Sequence, residues 1–553
     1  LVKKIIALTL LTALLTGCAQ LPTRVDIKSG PELVAPEAAD FSYYIPTGPA
    51  EGATSQEIVS GFLAAGTGPQ NDYSVAREFL TDEFAQRWNP AGEVLIRDGA
   101  PGFTANGENS LLVDVRVGAS VDEHGRYLEN QEPEQISLRF TLERQDGEWR
   151  ISGAPNLTVV TSPVFSVVFN AFQVYFFNNT ENALVSDLRW FPSRASTGTK
   201  LVNALLAGPS AHLAQGVTSS IPPGTKLTID AVNVEDGVAQ VDFDSTALEA
   251  DALERRLMLT QLRATLMQLV GVTDVQISIN NSPQEIVPAN LSTAQVGGAA
   301  FYLRSTGIYR VTGTSDTVIR GTAGFINAES VTAFDIKDDG DWLAYATSTG
   351  VTLVDNTGIS GKALSVSKQN NLASLFFDAE GYLWVVPTAG SEPIEIVSTS
   401  GERKYLFDNT QVIRGKFRPS PAGARIASLD TTSEFNRVLT YSVLRDLAGW
   451  PIKLTSGGIV HPSIGNVLSF TWQSADNLRV LEETSSGLTS ISDYPITGPR
   501  SQLSIPPVTG QEIFTGTAGL STYLVADNGE IWVLTGSAWR RVVSDALLVA
   551  TND

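Results

Sequence analysis

One residue in this chain has both a side chain and a setting that specify a reaction. Cys18 is the only cysteine among 553 residues, and it directly follows Leu15-Thr16-Gly17. Ahead of these stand Lys3 and Lys4, then a mostly apolar run from Ile5 to Leu15. As a helix that run is about 16 Å long. It is too short for a hydrocarbon core of roughly 30 Å and has the length of an export-signal core. The small pair Thr16-Gly17 offers a cleavage position beside the thiol. The expected chemistry is removal of residues 1–17 and attachment of lipid to the Cys18 sulfur, followed by a tether over residues 18–44. The alternative is an ordinary cleaved signal with an incidental cysteine. Acyl chains contribute about 0.8 kcal/mol per buried methylene, and stable anchoring takes more than one chain. With its single thiol so used, the chain forms no internal disulfide, and packing alone must hold the body together.

Other reactive side chains are scattered. His124, His212 and His461 are the three histidines, each beside turn residues (Gly125, Pro209-Ser210, Pro462). A triad or a zinc site needs histidine close to carboxylates or thiolates in space, so all three are expected on surface loops. Asp335, Asp338, Asp339 and Asp341 gather around Gly340 but lack the alternating ligands and closing Glu of a helix-flanked calcium loop. A turn between strands is expected there. The chain contains no GxSxG, no GxxxxGK(S/T), no strand-borne GxGxxG and no HExxH. Carboxylates are numerous, and no spacing singles out a glycosidase-type pair. No catalytic, cofactor-binding or metal-binding residue is assigned, and the protein is expected not to be an enzyme.

Acidic side chains outnumber basic ones 59 to 38, for a formal charge of −21. Loss of Lys3 and Lys4 with the signal leaves the body more acidic still. That balance argues against a nucleic-acid partner and against electrostatic docking on anionic lipid. Length predicts three or four domains at about 150 residues each.

Residues 19–44 carry Pro22, Pro31 and Pro36 and little periodicity, as a tether would. Thr54-x-x-Glu57 is a capping-box pattern ahead of Ile58, Val59, Phe62 and Leu63. A second helix is predicted from about Tyr73 to Trp88. Apolar alternation then takes period 2 through Val113, Val115 and Val117 and through Ile136, Leu138, Phe140 and Leu142, and Asp146-Gly147 turns the chain into Trp149. Residues 163–290 read α/β. Strands are predicted at Val174–Phe177 and Leu184–Phe191, a helix around Leu201–Leu206 stopped by Gly208-Pro209, and a hairpin of Leu227–Val234 and Val238–Phe243 about Asp236-Gly237. A helix from about Ala252 to Leu269 and a strand through Val275, Ile277 and Ile279 complete the unit. From residue 291 onward, turns with Gly, Asp or Asn lead repeatedly into compact apolar strands, at Gly340, Gly381, Gly423, Asp476 and Gly529. The first two intervals are 41 and 42 residues, a period that means four-stranded propeller blades. Five or six blades are expected, with Trp342, Trp384, Trp472 and Trp532 filling the space between them.

Several of these strings resemble known families. Lys3-Lys4, the apolar run and Leu15–Cys18 resemble the bacterial lipoprotein signal, with Leu1 read as a non-standard start codon. Two helices followed by a curved sheet ending in Asp-Gly-Glu-Trp-Arg-Ile resemble the nuclear transport factor 2-like cone, expected over residues 45–162. The strings "LVNALLAGPS", "SSIPPGT" and "TLMQLVGVTDVQI" resemble the GerMN domain. The expected fold class is multidomain α+β and all-β: cone, GerMN-like α/β domain, and C-terminal β-propeller over 291–553. This order of parts resembles the actinobacterial LpqB lipoprotein family over essentially the whole chain. The resemblance implies association with the MtrAB two-component system, through contact with the ectodomain of the sensor histidine kinase MtrB and effects on cell-wall homeostasis and division. It carries one residue, the acylated cysteine, onto Cys18. It places the protein on the extracytoplasmic face of the cell membrane, held by its N-terminal lipid. The competing expectation is a lipoprotein that binds cell wall or a small ligand and does not signal.

Overall fold

The helix predicted by the capping pattern forms. Thr54 Oγ1 accepts from Glu57 N, Glu57 reaches back to Thr54 N at 2.7 Å, and the helix Ser55–Ala65 follows, burying Ile58, Val59, Phe62 and Ala65. The computed structural model describes residues 46–551 apart from 195, 292, 295, 297–299, 313–314, 320–321, 323–326, 338–339, 358–362, 407–414, 433–435, 456–457, 461–465, 485 and 517–520. Cys18, the signal, the tether, Asp338, Asp339 and His461 lie outside the described residues.

The predicted second helix is two short ones, Ser74–Arg77 and Asp82–Arg87. Residues 79–81 between them leave helical bonding to pair with a strand: Thr81 N donates to Ile151 O at 2.9 Å, and Ile151 N to Phe79 O at 2.9 Å. Thr81 then caps the next helix, accepting from Phe84 N. The period-2 run makes the long strands Glu93–Ala105, Ser110–Asp122 and Tyr127–Gln145 of a five-stranded sheet. Asp146 and Gly147 both take left-handed backbone, the geometry of a two-residue hairpin that matches strand twist. Helices and sheet enclose one apolar core around Phe62, Trp88, Val113, Val115 and Phe140, which makes the cone.

The α/β unit pairs Phe169–Asn178 with Leu184–Pro192 antiparallel, and Val238–Phe243 with Asp274–Ile279 parallel across the helix Ala252–Leu266. That helix starts at a second capping box, Asp251 with Glu254. The hairpin at Asp236-Gly237 forms, but its first strand is only Asn233–Glu235. Upstream, Thr228 N still reaches Asp242 O, and the chain then leaves the sheet where Ala231 N turns back to Ile229 O.

Among the described residues, six antiparallel sheets of four or more strands follow, and these are propeller blades. Blade 1 combines Ala300–Arg304, Gly307–Thr312 and Ser315–Val318 with the C-terminal strand Leu548–Thr551, which supplies its innermost strand. The inner strands of blades 2 to 6 are Val331–Ile336, Leu372–Phe377, Phe417–Pro419, Asn466–Ser474 and Gly510–Thr515. Each seam between blades holds its own apolar cluster. Trp384 and Trp472 are fully buried in two of them, as expected; Trp342 and Trp532 are half-buried. Neighbouring inner strands are linked by side chains as well: Phe377 N donates to Asp335 at 2.7 Å, Phe417 N to Ser374 Oγ at 2.7 Å, and Ile513 N to Ser469 Oγ at 3.3 Å. The turns at Gly340, Gly381, Gly423 and Asp476 join first to second strands of their blades. The turn at Gly529 joins second to third, so the last interval in the sequence did not measure a blade. Closure by Leu548–Thr551 accounts for the sixth.

Deleting residues 544–553 should open this ring, because blade 1 loses its inner strand and the apolar seams on either side lose a wall. The expected outcome is loss of a single cooperative thermal transition and rapid proteolysis within 300–543, read by calorimetry and limited trypsin digestion.

Candidate functional site

The strand Leu184–Pro192 is buried at all nine positions, although it carries Asp187 and Arg189. Both charges are paired with each other at 2.9 Å, with side chains 1% and 0% exposed. Ser210 completes the set: its N–H donates to Asp187 Oδ2 at 2.6 Å, its hydroxyl donates to Oδ1 at 2.9 Å, and Arg189 donates to that hydroxyl at 3.1 Å. The propeller enters from the other side. Arg425, 2% exposed, donates to Ser186 O at 2.8 Å and to Ala475 O at 3.0 Å. Three residues on, Trp190 joins all three modules. Its N–H donates to Gly125 O of the cone at 2.8 Å, and its indole Nε1 donates to Thr497 O of the propeller at 2.8 Å. Its ring lies 5.3 Å from Phe165 and 6.2 Å from Tyr127. Gly125 is required at this approach: it has φ +77°, and a Cβ there would come within 2.6 Å of the Phe191 ring.

Further contacts flank the strand. Glu380 of blade 3 accepts from Asn178 Nδ2 at 3.2 Å, Thr180 Oγ1 at 3.0 Å and Asn182 Nδ2 at 3.2 Å. Gln173 Nε2 donates to Asp476 at 2.8 Å. Ala422 and Ala424 of the propeller lie in the apolar core of the α/β unit itself. Three of the turns that announce the blades in the sequence, those at Gly381, Gly423 and Asp476, therefore dock the α/β unit.

His212 departs from its expected surface position. It lies at this junction, its ring Nε2 enclosed without a hydrogen-bond partner, and its carbonyl accepts from Ser442 of blade 4. Burial, aided by Arg425 and Arg189 and opposed by Asp187, pushes its pKa down to about 4. Burial alone would raise Asp187, but the Arg189 guanidinium and the neighbouring cations hold it at about 2. Asp187, Ser210 and His212 are thus brought together, but not as a nucleophile set. Ser210 gives its proton to a carboxylate held ionised by arginine, and it is 4% exposed. The arrangement fixes modules. His124 stays half-exposed beside Glu123, as expected. Among the described residues no cluster of His, Cys, Asp and Glu could hold a metal ion.

Within the propeller, the inner strands surround a cavity of about 300 Å³. Lys416 and Arg418 both bond Glu512 across it, Arg418 at 3.0 Å. None of these residues was singled out from sequence, because nothing local brings Lys416 and Arg418 to Glu512, about a hundred residues later.

Comparison with known proteins places these parts. Residues 48–166 match the family model described as lipoprotein LpqB, N-terminal domain, and residues 173–285 match that for sporulation and spore germination. The lipoprotein LpqB of Thermobifida fusca is 24% identical over 96% of both chains, and that of Corynebacterium diphtheriae is 27% identical over 85% of both. The lipoprotein LpqB of Cutibacterium acnes is 29% identical over 49% of this chain and 45% of its own. This chain is similar to LpqB lipoproteins over nearly its whole length. Among solved structures, TolB from Acinetobacter baumannii aligns over 47% of this chain and 68% of its own at 12% identity and TM-score 0.36. The tandem GerMN domains of GerM from Bacillus subtilis align over 26% and 59% at 17% identity and TM-score 0.20. Among the described residues, no helix is long and apolar enough to cross a membrane.

Two measurements test the junction. Arg425→Met leaves the Ser186 and Ala475 carbonyls without donors, and should cost ~3 kcal/mol in urea unfolding; Trp190→Phe, which loses one bond, should cost ~1 kcal/mol. His212 has a folded pKa below its unfolded value, so the unfolded state binds more protons as pH falls. Its contribution is complete above about pH 6.5 and is lost between there and about pH 4, by at most ~3 kcal/mol. A His212→Gln chain should show a flatter stability profile over that interval.

Proposed function

We propose that this chain is a non-enzymatic accessory lipoprotein of the LpqB family on the extracytoplasmic face of the cell membrane, lipidated on Cys18. It binds the ectodomain of a sensor histidine kinase of the MtrAB type and shifts its signalling state, with effects on cell-wall homeostasis and division. The division into a tether at 18–44, a cone at 45–162, a GerMN-like domain at 163–290 and a propeller at 291–553 belongs to the same reading.

The observation that carries it is the junction at Leu184–Pro192. A partner biases a two-state switch only through different affinities for the two states. A chain whose modules are stapled together through buried charges and Trp190 presents one fixed surface, which can favour one kinase conformation over another. A lipid tether would add effective concentration at the membrane without further contacts. The cavity in the propeller favours a second reading, a lipoprotein that grips a small ligand or cell-wall fragment. Retention of the chain on purified cell wall would support that reading.

Cys18→Ala should leave the thermal transition unchanged, move the chain out of the membrane fraction, and abolish its co-purification with the kinase from cross-linked cells. Failure of the unaltered chain to cross-link the kinase would overturn the proposal.

A further inference from the structure

The α/β unit carries a cavity of its own, about 280 Å³, near the cone and away from the propeller channel. That is close to the lower end of the roughly 300–1,000 Å³ typical of small-molecule sites. Its floor is apolar, built from Phe172, Val232, Leu266 and Leu269. Its rim is open and carries Val270, 99% exposed, and Val234, 47% exposed, beside Ser193 and Gln268. Exposed aliphatic side chains around an apolar hollow mark an interaction site.

One end of the cavity is cationic. Arg194 lines it. The Arg194 guanidinium lies over the Tyr73 ring at 4.6 Å, its Nε is buried without an acceptor, and no described carboxylate forms an ion pair with it. Lys200, one turn into the helix Thr197–Leu206, rests over the Phe191 ring at 5.5 Å and also forms no ion pair among the described residues. Burial and the nearby Arg194 charge both lower the Lys200 pKa. The nearest acid, Asp72, is engaged with Arg77 at 2.6 Å. In a chain of formal charge −21, Arg194 thus lines the hollow without forming an ion pair among the described residues, and the Lys200 charge lies near it. A buried charged donor left without an acceptor costs free energy, and a carboxylate suits a guanidinium best, since two parallel bonds can form.

We propose that this cavity binds a single-chain amphipathic anion, a fatty-acid-type carboxylate, with its chain on the apolar floor and its carboxylate on Arg194. The small volume favours one chain over the two of a bilayer phospholipid, and the cationic end selects against neutral or cationic amphiphiles.

The test uses the full chain in phosphatidylcholine nanodiscs with a dodecanoate bearing a terminal diazirine. Photolabelling should fall on 232–234 and 266–272, and be competed by dodecanoate but not by dodecyltrimethylammonium. Exchanging the discs for phosphatidylglycerol should not compete. Arg194→Gln should weaken labelling at least tenfold, because Gln loses the charge and the paired donors of the guanidinium. Val270→Asp alters only a fully exposed rim residue, keeps the fold, and should weaken labelling by setting a charge against the apolar end of the ligand. Labelling elsewhere, equal competition by the cationic amphiphile, competition by phosphatidylglycerol discs, or labelling unmoved by Val270→Asp would overturn the proposal.

Discussion

A strand buried on both faces has no solvent to satisfy its polar groups, so every group that is not apolar must find a partner in another element. Leu184–Pro192 is such a strand. Its sheet partner Phe169–Asn178 covers one edge. The other needs are met from elsewhere in the chain: Arg425 reaches Ser186 from the propeller, Ser210 and Arg189 enclose Asp187, and Trp190 bonds both cone and propeller. Residues 46–553 accordingly form one compact unit. Exposing the strand would part the bonds from Arg425 and Trp190, so the α/β unit is complete only with its neighbours in place.

The propeller solves a similar problem by other means. Its inner strands belong to different sheets, so no ladder of backbone bonds joins blade to blade. Apolar clusters fill each seam, and single side chains such as Asp335, Ser374 and Ser469 accept backbone N–H groups of the next blade. Asp378 shows how a turn residue serves both tasks. It organises its own turn through Glu380 N and Tyr382 N, bonds Trp384 Nε1 at 2.8 Å, and meets Arg445 of the next blade at 2.9 Å. The turn signature visible in the sequence is therefore also a seam contact.

Much of the fold was legible because local rules and tertiary needs agree. The capping box at Thr54, the left-handed pair Asp146-Gly147 and the alternation through Val113, Val115 and Val117 each specify what forms. Where long-range bonding competes, local reading fails. Residues 79–81 abandon the helix for Ile151, and Ile229–Ala231 abandon the strand. The junction was legible only as an anomaly, with Asp187 and Arg189 inside an otherwise apolar strand. Such charges mark a site whose partners lie far off in sequence, and nothing local says that Arg425 is one of them. His212 was misplaced for the same reason: the turn beside it is real, and the propeller that covers it begins about a hundred residues later.

The charge distribution links the junction to attachment. Basic residues are in the minority, and several of them are spent inside, where Arg189, Arg425 and Arg445 are all buried at seams. Arginine suits this use because its planar fork donates several bonds at once to carbonyls and carboxylates. Buried carboxylates such as Asp187, Asp335, Asp378 and Asp430 accompany these arginines, so the outer surface keeps the acidic excess of the composition. Such a surface is repelled by anionic lipid over a Debye length of about 8 Å at physiological salt. It also attracts a cationic partner at distances where shape has no influence. A body with this acidic excess gains nothing from docking by charge on anionic lipid, and that is the setting in which the lipid proposed on Cys18 would act as its anchor.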